Sequence, residues 1–400
     1  MKQTLRIGFL PLTDCAILVA ALERGFFEKY GLHVTLQREV SWANIRDRLA
    51  FGELDAAHML APMPLAATLG IDGLGIPMQA AFSLGLNGSG ITLAQELMAT
   101  IHHQFPEHLH TSPMRASGLK ALLAIQPGRK LVFGSVYAFS QHHYLLRAWL
   151  EDGGLEIGRD VDIQVIPPPQ MVHSLAEGKI DGYCAGEPWN QLAVKRGIGC
   201  VAVTSYDLWN NGPEKVLGVT QTWAQENPET HIALLCALLE AANWLENHHN
   251  RIHLAELLAR PEYLDVPVDL LRAPLLGHYR YAPDEPERFL PDFNVFAQYA
   301  ANFPWHSHGR YFMAQMRTAA QLTHPIENEA DVLSSVYRTD VYRLAADILN
   351  LPYPTTNYLP MTECHAPWIL REASQFIAMG SNHIALNNLR ALVPAADILN

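Results

Sequence analysis

The segment "IDGYCAGEPWNQLAVKRGIG", residues 180–199, predicts the architecture of this chain. It begins as a strand, passes through Gly186, and continues into a helix whose first turn holds Pro188. Strands that lead directly into helices are the units of sheets flanked by helices. No catalytic pair lies at this corner, because Cys184 is solitary and Glu187 stands beside a proline rather than a second acid. The segment therefore predicts an α/β protein whose strand ends hold a structural or ligand-binding corner.

The same alternation of strand and helix occurs in two series. The first contains the strands "LRIGFL", "LHVTLQRE" and "LDAAHML", and the second contains "KLVFGS", "DVDIQV", "IDGYCAG" and "IGCVAVTS". Helical patterns of about 10–15 residues separate these strands, which predicts parallel sheets. The chain crosses between the series near residues 85–93 and 206–220. Two lobes joined by two crossings predict a two-lobed, periplasmic-binding-protein-like (type II) fold with its ligand in the cleft.

The boundaries follow from this pattern. We expect residues 1–90 to form the first part of lobe 1, residues 91–207 to form lobe 2, and residues 208–400 to add the return strand of lobe 1 and a helical C-terminal region. Within the last part, "EADVLSSVYRTDVYRLAADIL", residues 329–349, predicts one amphipathic helix.

Composition excludes several classes of function. The formal net charge of −12 argues against direct nucleic-acid binding, which normally requires a basic face. The five cysteines are widely spaced and predict neither disulfides nor a zinc module. Three histidine-rich stretches, at residues 101–110, 247–253 and 306–308, lack a familiar ligand spacing and are interpreted as solvated histidines rather than a metal site.

The N-terminal residues superficially imitate a signal peptide. Pro11, Thr13 and Asp14 interrupt its apolar core, and the segment is better explained as a strand followed by a capped helix. No run of about 18 apolar residues predicts a membrane span. The expectation is a cytoplasmic protein.

Enzyme motifs are missing from the sequence. It contains no GxSxG, no P-loop and no GxGxxG between a strand and a helix, so we expect neither catalysis nor a cofactor. Strand-to-helix corners stand out instead, and helix N-termini suit a small anion. Four residues mark such corners: Trp42, His142, Gly186 and Lys215. Each also has a plain structural explanation, with Trp42 in the core and His142 and Lys215 at the surface.

Four longer stretches carry a family resemblance: "SWANIRDRLAFGELDAAHMLAPMPLA", "LGLNGSGITLA", "QVIPPPQMVHSLAEGKIDGYCAGEPWNQLAVKRGIG" and "LWNNGPEKVLGVT". Together they resemble the nitrate-binding family, which includes the solute-binding proteins of nitrate transporters, their bicarbonate-binding relatives and cytoplasmic nitrate/nitrite sensors. The resemblance covers roughly residues 4–260. The implied ligand site has a tryptophan that packs on nitrate, a histidine donor, a backbone N–H, a lysine and a proline that lines the cleft: Trp42, His142, Gly186, Lys215 and Pro168.

One position departs from the family pattern. Where the transporter protein has a glutamine, this chain has Ser89, whose shorter side chain leaves its role and the preference between nitrate and nitrite open. The bicarbonate relatives use acidic residues with calcium, whereas His142 and Lys215 favour nitrate without a metal. Planar, singly charged nitrate suits charge-assisted donors beside an aromatic face.

The resemblance also implies a choice of role. Because no signal peptide is evident, we expect a cytoplasmic nitrate/nitrite sensor that releases a bound RNA-binding antitermination regulator when the anion binds. The alternative is the extracytoplasmic solute-binding component of a nitrate ABC transporter. A third interpretation, an enzyme similar to the thiamine-pyrimidine synthases, is weakly supported because Cys184 is solitary.

Overall fold

The computed structural model describes residues 3–109, 111–359 and 364–392. Two five-stranded sheets form its two lobes. The first sheet contains Thr4–Phe9 (β1), His33–Arg38 (β2), Ala56–Leu60 (β3), Met78–Ser83 (β4) and Lys215–Thr220 (β11). The second contains Ser89–Ala94 (β6), Leu131–Ser135 (β7), Val161–Val165 (β8), Gly182–Gly186 (β9) and Gly199–Thr204 (β10). The short strands are Leu86–Asn87 (β5), His278–Tyr279 (β12), Arg288–Phe289 (β13), Asn294–Val295 (β14), Trp368–Leu370 (β15) and Ile377–Met379 (β16).

The strand order confirms the predicted α/β class and adds one feature. The orders are β2-β1-β3-β11-β4 and β10-β6-β9-β7-β8. In each sheet most strands are parallel, but β11 runs antiparallel to β3 and β4, and β6 runs antiparallel to β9 and β10. The reversed strand is in both cases the one that enters a sheet directly after the chain crosses between lobes. The sheets are therefore mixed rather than purely parallel.

Helices flank both sheets and fill the C-terminal region. Those before the return strand are Ala16–Glu23, Phe26–Lys29, Trp42–Ala50, Met63–Thr68, Gln95–Gln104, Ser117–Ile125, Gln141–Asp152, Pro168–Ala176, Trp189–Lys195 and Ser205–Leu208. Those after it are Gln221–Glu226, Pro228–Leu245, His248–Leu258, Asp269–Leu275, His306–Thr318, Glu329–Val336, Thr339–Ile348 and Asn387–Leu392. Within the described residues, none of these helices has the length and apolarity that a bilayer span requires.

Two serine caps fix helices that matter for the cleft. The Ser41 hydroxyl accepts a hydrogen bond from the Asn44 backbone N–H at 3.2 Å, and the Ser140 hydroxyl accepts one from His143 N at 3.0 Å. A cap of this kind satisfies one of the free N–H groups of the first turn. As a result, Trp42 and His142 lie in the first turns of well-defined helices.

The predicted single helix at residues 329–349 is wrong, because the chain breaks at Tyr337 and Arg338. The hydroxyl of Tyr337 donates to Ala61 O at 3.1 Å, and the backbone N–H of Arg338 donates to Ala80 O at 3.0 Å. These bonds attach the break to lobe 1. In an unbroken helix the Arg338 N–H would instead donate to a carbonyl of the preceding helical turn.

The histidines at 306–308 are also not solvated, contrary to the sequence-based interpretation. His306 and His308 are buried in the helix His306–Thr318, and a ring nitrogen of His306 lies 2.9 Å from Tyr337 O. The amphipathic pattern of that helix turns both rings into the core. His102, His103 and the pair at 248–249 are exposed as expected, and His110 lies outside the described residues.

The C-terminal region packs on both lobes. Tyr337 reaches lobe 1, whereas the side chains of Gln321 and Asn388 donate to lobe 2 carbonyls, at Ala138 O (2.9 Å) and Ala148 O (2.8 Å). The helix Pro228–Leu245 covers lobe 1 through buried leucines. The return strand and the C-terminal helices thus make one continuous support behind the cleft, while the division at residues 90 and 207 stays a prediction.

The crossing out of lobe 1 depends on Gly85. Its φ of +126° is a conformation that L side chains rarely adopt, and a Cβ there would lie 2.6 Å from the backbone oxygen of Val295. Gly85→Ala should therefore lower the free energy of unfolding by at least about 2 kcal/mol. Thermal unfolding of the variant measures the loss.

Gly128→Ala is the matched control for this change, because Gly128 also has a positive φ but a Cβ added there would meet no atom within 4 Å. It should cost only the backbone strain, about 1 kcal/mol. Equal losses for the two variants would show that the contact with Val295 does not matter.

Candidate functional site

The cleft is built where strands of both lobes end. In lobe 1, Asp14 lies in the turn after β1, and Lys215 opens β11 at the same sheet edge. In lobe 2, Gly186 ends β9 and His142 starts the helix after β7. The carboxyl ends of parallel strands are the usual place for a ligand in open α/β sheets.

A buried lysine occupies the centre. Lys215 Nζ lies 2.6 Å from Asp14 Oδ2 and 2.6 Å from Glu214 Oε1. Lys215 and Glu214 are nearly fully buried. A buried charge requires close partners, because transfer from water into the protein interior is costly. One cation is thus held between two carboxylates that come from different segments of the chain.

The pKa values of the three groups follow from this arrangement. Burial would lower the pKa of Lys215, but Asp14 and Glu214 outweigh it and raise that pKa above its usual value. Burial would raise the pKa of Asp14, but Lys215 and His58 hold it well below the usual range. For Glu214 burial prevails over Lys215, and its pKa is raised. Lys215 and Asp14 are therefore charged at neutral pH, and Glu214 is the carboxyl that takes up a proton most readily.

Two neutral imidazoles border this charged group. Burial lowers the pKa of His142 well below its ordinary value, and Lys215 lowers it further. Burial also lowers the pKa of His58, although His58 Nε2 lies 2.9 Å from Asp14 Oδ1. His142 Nε2 lies 3.2 Å from Glu214 Oε1. Both rings can serve as hydrogen-bond donors without adding charge.

Trp42 forms an aromatic wall of the site. Lys215 Nζ lies 5.6 Å from the centre of its ring, within the range of a cation–π interaction. His58 meets the same ring edge-on, with the ring centres 5.2 Å apart. Trp42 is almost completely buried, and its interaction with Lys215 shows that it is more than a core residue.

Ser89 and Gly186 bring the backbone of lobe 2 to the charged group. They face each other in the antiparallel pairing of β6 with β9. The Ser89 hydroxyl lies 3.4 Å from Glu214 Oε2, and a Cβ on Gly186 would come within 3.5 Å of Asp14 Oδ2. Lobe 2 thus approaches Asp14 closely at Gly186, although a Cβ there would make only ordinary van der Waals contacts.

The structure thus brings five of the predicted residues to one place: Trp42, Ser89, His142, Gly186 and Lys215. Pro168, the sixth, begins the helix after β8 and is buried at the same edge of the second sheet. Their role in binding a ligand stays a prediction.

Three members of the cluster were missed by sequence reasoning. The sequence pattern places Asp14 before the first helix, His58 in a strand and Glu214 next to Lys215, and assigns none of them to the site. The expected side-chain cap of the first helix is wrong, because no side-chain hydrogen bond caps that helix start. A signal did exist for His58, which is the one polar residue of the otherwise apolar β3. The acids gave no such signal, since only the fold brings Asp14 to Lys215.

Glu187, at the corner between β9 and the helix that follows it, turns away from the cleft. Its carboxylate accepts hydrogen bonds from Tyr279 Oη at 2.5 Å, Asn190 Nδ2 at 3.0 Å and Gln191 N at 3.1 Å. Burial raises its pKa to about 7. Its backbone oxygen accepts from Thr13 N at 2.8 Å, which links lobe 2 to lobe 1. Glu187 is therefore a structural residue of the closed cleft and does not repel a bound anion directly.

Several polar atoms beside the cluster lack protein partners. Among the described residues, no hydrogen-bond partner is found for Trp42 Nε1, Thr13 Oγ1 or either ring nitrogen of His142, although all of them are buried. The 3.2 Å approach of His142 Nε2 to Glu214 Oε1 is thus a close contact without hydrogen-bond geometry. Buried polar atoms without partners are uncommon and call for an explanation. Over the same part of the chain, no three histidine, cysteine or acidic side chains are grouped to hold a metal ion. The arrangement therefore offers hydrogen-bond donors and one cation, which are suited to a small polar anion.

Residues 1–259 match the model of the NMT1-like family. The chain belongs to the NMT1-like family. A solved structure of this type, the periplasmic nitrate-binding protein NrtA from Synechocystis PCC 6803, superposes with a TM-score of 0.84 at 28% identity and covers 99% of both chains. This likeness extends beyond the family match into the C-terminal region, and it is a likeness to a binding protein rather than to an enzyme.

Two curated relatives are similar over 88% of this chain. The nitrate import ATP-binding protein NrtC of Synechocystis is 38% identical over 353 residues, and the bicarbonate transport ATP-binding protein CmpC of Synechococcus elongatus is 36% identical over 352. The chain spans about half the length of these two relatives, 51% and 50% respectively.

Lys215 is a candidate anion-binding residue, and because it is buried with two carboxylates, it should also be essential to the stability of the fold. Lys215→Met leaves Asp14 and Glu214 buried without a cation, so the free energy of unfolding should fall by about 3–5 kcal/mol. Adding Glu214→Gln to Lys215→Met should recover part of the loss, as measured by thermal unfolding.

Lys29→Met provides the control for this pair, because Lys29 forms a largely exposed ion pair with Glu240. Exposed pairs contribute little, so this variant should change stability by less than about 1 kcal/mol. If Lys215→Met were equally mild, the central ion cluster would not contribute to folding.

Proposed function

We propose that this chain binds nitrate or nitrite in the cleft and acts as the substrate-binding unit of an import system. The observation that carries the proposal is the buried Lys215, placed against the Trp42 ring and beside a neutral histidine donor. Charge-assisted hydrogen bonds to such a lysine are about twice as strong as neutral ones.

The charge and the hydrogen-bond donors of the site suit a monovalent oxyanion. A flat anion can lie against the indole face while its oxygens accept hydrogen bonds from Lys215 and His142. The two nearby carboxylates, Asp14 and Glu214, disfavour anions with a second negative charge. Sulfate and phosphate dianions are therefore poor candidates.

The names of the related proteins help to choose between a transport role and a sensing role for the proposed anion binding. NrtC is named for nitrate import and NrtA for periplasmic nitrate binding, which favours the transport alternative over the sensor interpretation. Neither of these names refers to an antitermination regulator or to sensing. The regulator partner stays a prediction that rests on the resemblance alone, and the cytoplasmic location stays a prediction from the N-terminal sequence pattern.

Bicarbonate is the competing ligand. One of the relatives is named for bicarbonate transport, and Glu214 could accept a hydrogen bond from the bicarbonate hydroxyl. Against it, the two carboxylates are already paired with Lys215, and no calcium-type cluster of acids is found in the described part of the chain. We therefore propose nitrate or nitrite as the preferred ligand.

Calorimetric titration of the purified protein with nitrate, nitrite, bicarbonate and chloride tests this proposal. Nitrate or nitrite should bind at one site per chain. His142→Ala removes a buried donor, so it should weaken nitrate binding at least about tenfold, equivalent to about 1.4 kcal/mol.

His143→Ala is the matched control, because the His143 ring lies beside Tyr144 and Arg147 rather than in the ion cluster. Its nitrate affinity should equal that of the wild type. Binding of bicarbonate alone, or binding that requires calcium, would overturn the proposed ligand, and equal affinities for both histidine variants would remove His142 from the site.

A further inference from the structure

The Glu214 carboxylate contacts the same polar groups that the family resemblance assigns to anion binding. Its Oε1 is 2.6 Å from Lys215 Nζ and 3.2 Å from His142 Nε2, and its Oε2 is 3.4 Å from the Ser89 hydroxyl. A single carboxylate therefore accepts hydrogen bonds from Lys215 and Ser89 and lies close to His142 Nε2, so it contacts groups from the return strand, strand β6 and the helix after β7.

A carboxylate and nitrate present the same chemistry to such donors. Both are flat, both carry one negative charge, and both offer oxygen acceptors in one plane. Glu214 is 2% exposed, so its carboxylate is enclosed with these donors rather than solvated beside them. The side chain has both the shape and the position of a bound oxyanion.

We propose that Glu214 is an internal competitor for the anion and sets the affinity and charge selectivity of the cleft. This inference rests on the proposed function, since it deepens the account of the same site. An incoming anion must take the place of the Glu214 carboxylate on Lys215 and His142. Glu214 can give up those contacts by turning away, and taking up a proton makes this step easier.

Binding of the anion in place of the Glu214 carboxylate should be accompanied by uptake of a proton, because it adds negative charge to the site. With an anion bound, Asp14, Glu214 and the ligand would place three negative charges around Lys215 alone. Like charges at such distances disfavour ionisation of at least one acid. Protonation of Glu214 leaves one lysine against one carboxylate and one anion, and a dianion would restore the excess of negative charge.

The titratable groups that face Glu214 from other elements are poorer proton acceptors than Glu214. Asp14 has a lowered pKa, owing to Lys215 and His58 acting against burial. Cys184 on β9 and Tyr311 on the helix His306–Thr318 have pKa values raised by burial, so they hold their protons.

Both histidines of the cluster, His58 and His142, have pKa values lowered by burial and are neutral before an anion binds. Of the two carboxyls paired with Lys215, Glu214 is the one whose pKa burial raises, and an added anion raises it further. Glu187, whose pKa burial also raises, is held by Tyr279 on the far side of the corner and does not face Lys215. A proton taken up on anion binding is therefore assigned to Glu214.

Nitrate titrations of the wild-type protein between about pH 6 and about pH 8.5, in buffers with different heats of ionisation, test the inference directly. The wild type should take up as much as one proton for each nitrate bound. Its affinity should fall up to about tenfold for each pH unit over part of this range, as linkage to one proton requires.

Glu214→Gln removes the competitor while keeping the size of the side chain. At about pH 8 it should bind nitrate at least about tenfold more tightly than the wild type, because the neutral amide does not compete for Lys215. It should take up no proton at position 214 when nitrate binds, so its proton uptake should be smaller than that of the wild type. Glu226→Gln, a change at an exposed helix end, is the control and should match the wild type.

The outcomes separate the inference from the proposed function. Wild-type nitrate binding without proton uptake, or weaker binding by Glu214→Gln at every pH, overturns the role of Glu214 but leaves nitrate binding in place. If only the Glu214→Gln variant binds nitrate tightly, the result supports the role of Glu214 as a competitor. If neither protein binds any tested anion, the proposed function fails, and the competitor role fails with it. The wild-type proton measurement decides the matter even if the variant does not fold.

Discussion

The structure depends on one buried cation, Lys215, that is paired with two carboxylates. Asp14 comes from the turn after β1, and Glu214 directly precedes Lys215 on the strand that returns from lobe 2. Because an unpaired charge in the interior is strongly destabilising, the return strand, the first turn and the cleft must form together. Lys215 is also the cation of the proposed anion site, so the contacts that stabilise the fold are those that a bound anion would have to share.

The corner at residues 180–199 shows how the lobes are kept close to this group. Gly186 lies next to Asp14, and the backbone oxygen of Glu187 accepts a hydrogen bond from Thr13 N across the cleft. Tyr279 holds the Glu187 carboxylate on the far side. The residues of this corner thus shape and close the cleft, which explains why the corner holds no catalytic group. The C-terminal region, which contacts both lobes, supports this closed arrangement from behind.

Much of the fold could be predicted from local patterns. Alternating strands and helices indicated the two lobes, and Ser41 and Ser140 marked the helix starts that place Trp42 and His142. The reversal of β6 and β11 could not be predicted, because it depends on how the chain crosses between sheets. The Asp14–Lys215 pair was missed for the same reason, since a contact across about 200 residues leaves no local signal. The break at Tyr337 likewise results from tertiary hydrogen bonds that override helix propensity.

A crystal structure of the protein grown with saturating nitrate is the decisive measurement for the exchange of Glu214 with the anion. We expect one nitrate against the Trp42 ring, with its oxygens within hydrogen-bond distance of Lys215 Nζ and the His142 ring. The Glu214 carboxylate should have left both contacts, while the Lys215–Asp14 pair should remain. Nitrate bound elsewhere, with Glu214 still in contact with Lys215 and His142, would contradict both the site and the exchange.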